Sequence, residues 1–228
     1  MGQYSSKGTY AGYDKNNKER EADDYYATPP EEVENILDAL NIEGCRSLLD
    51  PCCGGGHMIE GVLNWNCWLA INGTDIKERP NPFIENHCSQ HDIHYGYGKE
   101  YDFLSDEYPI DDADIVIMNP PFKVIAPFIR HGLEIANRYL IVFGRTQTIE
   151  TKARYEEIFK DCPPTYMYQY IDRVACAKNG EFPVAAGVQA HAWFVWDKAK
   201  LGEETILRWL WRVDNGKIKR EVDKNLKI

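Results

Sequence analysis

Apolar residues fall along this chain in two alternating periods. Residues 31–40 place Val33, Ile36, Leu37 and Leu40 on one side of a helix, and Thr28 before Pro29-Pro30, followed by Glu31-Glu32, predicts its start, with Thr28 as one candidate N-cap. Residues 46–50 read as a short buried strand that runs into a three-glycine turn and a helix carrying Met58, Ile59, Val62 and Leu63. A second strand is predicted over 67–75 and a third over 83–88, followed by a loop containing Asp92. The run Asp114-Ile115-Val116-Ile117-Met118 has the composition of a strand buried on both faces, and Asn119-Pro120-Pro121-Phe122 stops it abruptly. A helix over 124–137, a strand over 138–144, a helix over 151–159 and strands over 166–174 and 190–196 follow. The Asp214-Asn215-Gly216 turn predicts a final hairpin, with arms over 205–213 and 217–222. Residues 1–24 show no hydrophobic period and read as a mobile arm.

Strands alternating with helices predict an α/β fold with a doubly wound, mostly parallel sheet. The expected organisation is an arm over 1–24, one domain over 25–200 and a basic hairpin or tail over 201–228 appended to it. At 228 residues, with 43% hydrophobic and 27% charged, the chain suits one well-buried domain. No apolar run reaches membrane-spanning length and the first residues lack a signal-peptide core, so an intracellular, cytoplasmic protein is expected. Seven cysteines without a Cys-x-x-Cys pair predict reduced thiols. The net charge of −10 argues against a protein that coats nucleic acid by charge alone. Residues 205–228 depart from it: seven basic against three acidic side chains give +4. Trp209 and Trp211, interleaved with Arg208 and Arg212, suit either nucleic-acid contact or packing onto a sheet edge.

The candidate chemistry sits at the predicted strand ends. A strand stopped by two prolines delivers Asn119 to the rim of the sheet, where its amide, the Pro120 carbonyl and the Phe122 ring can face one planar, amino-bearing group such as a nucleobase or a carboxamide. Upstream, the spacing Asp50-x-x-x-Gly54-x-Gly56 lacks both the third glycine of a dinucleotide fingerprint and a P-loop lysine. It favours a ligand without a pyrophosphate, whose cationic or amino part lies near a carboxylate. Asp75, about twenty residues beyond the glycine turn, stands where open α/β sheets hold ribose hydroxyls, although a cap for the residues after it is an alternative. Asp92 is the candidate partner for an adenine amino group. His87, Cys88, His91 and His94 have metal-like spacing but lack a second ligand pair, so no metal is expected.

Asp50-Pro51-Cys52-Cys53-Gly54-Gly55-Gly56, Asp75, Asp92 and Asn119-Pro120-Pro121-Phe122, in that order, resemble class I S-adenosylmethionine-dependent amino methyltransferases, most closely the phage and prophage DNA adenine-N6 branch. Asp24-Tyr25-Tyr26-Ala27-Thr28-Pro29-Pro30 resembles that branch's N-terminal cofactor motif, and the likeness spans about residues 24–198. The resemblance implies a Rossmann-like, seven-stranded sheet whose last strand is antiparallel. It implies S-adenosylmethionine held by Tyr26, Thr28, Asp50, Pro51, Cys52, Gly54, Gly56, Asp75, Ile76, Asp92 and Asn119. Asn119, Pro120, Pro121 and Phe122 are the implied catalytic residues, and DNA, with RNA as an alternative, the implied partner. No sizeable target-recognition insertion is present, which leaves a short or relaxed site. Three alternatives stay open: the same chemistry on cytosine-N4, an RNA base or a protein glutamine; a silent cofactor-binding scaffold; and a binding protein on an inherited fold.

Overall fold

The structure is a computed structural model that describes residues 25–65, 68–79, 93–178, 189–202, 204–214 and 217–218. Its frame is a sheet that, among the described residues, has eight strands: β1 (Ser47–Asp50), β2 (Ala70–Asp75), β3 (Ile93–Tyr97), β4 (Ala113–Met118), β5 (Ala136–Arg145), β6 (Tyr166–Tyr170), β7 (His191–Asp197) and β8 (Ile206–Leu210). They lie in the order β8-β6-β7-β5-β4-β1-β2-β3. Only β7 runs against the others, inserted between β5 and β6; the expected antiparallel strand is therefore present, but β8 follows it as an eighth strand, parallel to β6.

Burial on both faces explains the continuous apolar runs. In β4, Ile115 and Ile117 enter one core cluster while Val116 and Met118 enter the other. Two helices, α1 (Pro30–Ala39) and α2 (His57–Trp65), cover the first face, bringing Val33, Ile36, Leu37, Ile59 and Val62. They meet so closely that a Cβ on Gly61 would stand 2.3 Å from the Pro30 carbonyl oxygen. On the second face, α3 (Ile125–Ile135) buries Ile125, Phe128 and Ile129. Each fully buried side chain of this kind contributes roughly 1.5–3 kcal/mol. The chain passes from α3 into β5 without a loop, and the Lys198 ammonium donates to the Leu133 and Ala136 carbonyls at that corner.

One sequence expectation falls outside the described residues and one is corrected. The segment over 83–88 is among those not described; among the described residues β3 flanks β2 on the side away from β1, where Ile93 stands opposite Ile71 and Tyr97 opposite Asp75. Most of the arm over 205–213 does not join the hairpin: Ile206–Leu210 enters the main sheet as β8, parallel to β6, and among the described residues the hairpin consists of Val213–Asp214 paired with Lys217–Ile218. Trp209 therefore lies on the sheet edge, 65% exposed. The five described cysteines are free thiols. Among the described residues no helix is long and apolar enough to cross a membrane.

The sheet order places a topological switch between β1 and β4, since β2 and β3 extend one way from β1 and β5 the other. A crevice outside the C-terminal ends of these strands follows from that reversal.

Candidate functional site

A cavity of about 400 Å³ occupies that crevice, a size within the range of small-molecule sites. Its walls include Tyr26, Thr28, Asp50, Pro51, Cys52, Asp75, Ile76, Asn119, Pro120, Pro121 and Phe122. Eleven of the predicted site residues thus converge on one space, although they come from four separate segments. Gly54 and Gly56, also predicted, are not among the lining residues; at φ of +53° and +77°, the left-handed region that glycine adopts without strain, they turn the chain between Cys53 and His57, which are.

Asn119 sits just past β4. Its Nδ2 donates to the Tyr26 carbonyl oxygen at 2.8 Å and to Thr28 Oγ1 at 3.1 Å. A backbone carbonyl can only accept, so the amide nitrogen must face it and Oδ1 is turned the other way. Thr28 is buried, and the α1 N-cap position is Pro29 with no side-chain cap. Its hydroxyl orients Asn119 and does not cap the helix.

Asp50 is 0% exposed. Oδ1 accepts from the Cys52 N–H at 3.2 Å, while Oδ2 is buried without a partner. Burial, reinforced by the nearby Asp75 carboxylate, pushes the Asp50 carboxyl up to about 8. Asp75 fills the cap alternative and adds a second contact: Oδ1 accepts from the Lys77 N–H at 2.9 Å, and Oδ2 accepts from the Gly54 N–H at 2.9 Å. The carboxylate braces the glycine turn and, with further lone-pair positions, keeps acceptor capacity toward the cavity.

Several lining residues escaped the sequence reading. Asp92 lies outside the described residues, and the acid beyond β3 that lines the cavity is Asp102, whose Oδ1 accepts from the Leu104 N–H at 3.1 Å. Asp102, Phe103 and Leu104 all line the cavity. Phe103 is clamped between Tyr108, Phe128 and His131, with ring centroids 5.2, 5.1 and 4.5 Å away. The motif Asp102-Phe103 was the available signal, hidden because a 3₁₀ turn over Lys99–Tyr101 separates it from β3. Tyr25 also went unassigned. Its hydroxyl accepts from the Gly55 N–H at 2.8 Å and lies 2.9 Å from His57 Nδ1. Burial lowers the His57 pKa and favours the neutral ring, which can accept a hydrogen bond from the phenol at Nδ1 in one of its two tautomers. Arg79 stacks 4.6 Å from the Tyr25 ring centroid and reaches Asp75 Oδ1 at 3.3 Å.

Among the described residues no group of three His, Cys, Asp or Glu side chains is placed to hold a metal. His94 is an exposed residue of β3, and His87, Cys88 and His91 lie outside the described residues.

No protein-family model and no curated protein sequence matches the chain. Solved structures do. A predicted O-methyltransferase from Agrobacterium tumefaciens is 13% identical over 82% of this chain and 86% of its own, with a TM-score of 0.52. TrmN from Thermus thermophilus is 12% identical over 74% of this chain and 48% of its own, with a TM-score of 0.49. A human methyltransferase 10 domain containing protein is 12% identical over 72% and 78%, also at 0.49. The first of these establishes that the chain has the fold of a methyltransferase.

Proposed function

We propose that this chain transfers a methyl group from S-adenosylmethionine to the exocyclic amino group of adenine in DNA. The observation that carries the reading is the fixed orientation of Asn119: Tyr26 and Thr28 occupy its NH2 and leave its oxygen to accept. That oxygen belongs to the same cavity as Asp50, whose Oδ2 is buried and unpartnered.

The residues fit S-adenosylmethionine. An orphaned carboxylate oxygen suits the cationic part of such a ligand, and the absence of a P-loop lysine suits a ligand without a pyrophosphate. Asp75 and Asp102, near the ends of adjacent strands, supply acceptors for ribose hydroxyls and for an adenine amino group. When bound, the cofactor supplies an activated methyl carbon. The chain's part is to present the acceptor amine and exclude water. Asn119 Oδ1 and the Pro120 carbonyl accept the two amine N–H bonds, which draws the nitrogen toward tetrahedral geometry and stabilises the charge developing on it. Phe122 offers its ring to the base, which has to leave any duplex first.

Expression in a host lacking adenine methylation, followed by long-read mapping of modified bases, tests the substrate. Methylated adenine is the expected result. Its absence, with modified cytosine, RNA or protein glutamine in its place, overturns the adenine assignment, because these amines present the same two N–H donors.

A further inference from the structure

The Phe122 ring carries a cation. The guanidinium carbon of Arg145, last residue of β5, lies 4.2 Å from its centroid. This contact seats the guanidinium over the ring face and limits where its donor fork can reach. Arg145 Nε is nevertheless buried with no hydrogen-bond partner. A guanidinium has donors only, so what completes it must be an acceptor, and a planar fork is matched by the paired oxygens of a phosphate.

Charge points the same way. The chain has a net charge of −10, and three other half-buried arginines answer carboxylates: Arg79 with Asp75, Arg138 with Asp197, Arg212 with Glu32. Among the described residues, Arg145 and the exposed Lys123 beside Phe122 have no such partner. The residue paired with Arg145 across the strands, His191, is kept neutral by burial and by the guanidinium itself. Two uncompensated cations therefore flank one aromatic ring at the acceptor end of an acidic protein.

We propose that Arg145, aided by Lys123, binds a phosphate of the acceptor, so that the site selects nucleic acid over a protein amide or an uncharged small molecule. This rests on the reading that Asn119 faces an amino-bearing base, and it names the group that holds the rest of the nucleotide.

The test uses the full chain as wild type, Arg145→Gln, Arg145→Lys and Lys123→Gln, each checked for melting temperature and S-adenosylmethionine affinity. Binding of a fluorescein-labelled, adenine-containing single-stranded oligonucleotide is followed by anisotropy between 50 and 200 mM salt, alongside methyl incorporation. Arg145→Gln is expected to bind about tenfold more weakly, with the slope of log K against log salt reduced by about 0.7, the loss of one single-strand phosphate contact. Arg145→Lys keeps the slope and loses affinity severalfold, because its charge remains but its fork does not. Lys123→Gln lowers the slope with a smaller loss of affinity. If Arg145→Gln melts early, the lysine variant and Lys123→Gln decide the matter by the same slopes. Wild-type affinity and slope in folded Arg145→Gln overturn the phosphate role even if the enzyme methylates DNA, as does wild-type protein that shows no salt-dependent binding. Arg145-dependent binding without any methyl transfer supports the phosphate contact and instead removes the methylation reading.

Discussion

Replacing Asp50 by Asn separates what this residue does for the ligand from what it costs the fold. The asparagine keeps an oxygen for the Cys52 N–H and removes the ionisable group whose second oxygen is buried and unpartnered. Burial raises the carboxyl from an ordinary 3.8 to about 8. The folded protein therefore binds one more proton than the unfolded chain between about pH 4 and 8, and stability falls as pH rises through that window. At about 1.4 kcal/mol per pH unit the loss between pH 5 and 8 has a ceiling of about 4 kcal/mol, and relaxation and water entry reduce this to roughly 2 kcal/mol. Asp50→Asn lacks that loss. Urea unfolding of both proteins from pH 5 to 8.5, analysed at constant m-value, should give nearly equal stabilities at pH 5 and a variant more stable by roughly 2 kcal/mol at pH 8.5. The variant should also bind S-adenosylmethionine more weakly. Parallel stability profiles across that range would refute the reasoning, since Asp50 would then ionise alike in both states.

Two further substitutions probe the supports of the site. Thr28→Val leaves one hydrogen of the half-buried Asn119 amide without its protein partner and should slow methylation about tenfold, on the order of 1.4 kcal/mol, with cofactor affinity within a factor of two or so by calorimetry. Arg212→Ala removes the partner of the buried Glu32 at the start of α1, and at 30% exposure of the arginine side chain the cost should be about 2 kcal/mol in chemical unfolding. Adding Glu32→Gln to that variant should recover part of the loss, because the uncompensated charge is then gone.

Most of the site was legible because its determinants are local. The strand Ala113–Met118 followed by Asn119-Pro120-Pro121-Phe122, and the turn after Asp50, each encode a strand end within a few residues. What stayed hidden depends on pairing across distance. β3, with the sequence Ile-His-Tyr-Gly-Tyr, has no apolar run, and its tyrosines stack on one another with centroids 6.0 Å apart. Asp102 was missed with it. β8 was drawn into a hairpin because Asn215-Gly216 is a strong local turn signal, whereas its partner Tyr166–Tyr170 lies some forty residues upstream. The Arg145–Phe122 stack joins the ends of two strands and leaves no mark on either segment alone.

Asn119 is the point on which the account turns, and Asn119→Ala is its most direct test. Purified wild type and variant are incubated with methyl-labelled S-adenosylmethionine and adenine-containing DNA, and the nucleosides are resolved by mass spectrometry. Loss of one acceptor for the developing charge predicts N6-methyladenine from the wild type and a rate at least about 100-fold lower from the variant, with equal cofactor affinity and melting temperature. Equal rates from the two proteins would contradict the account.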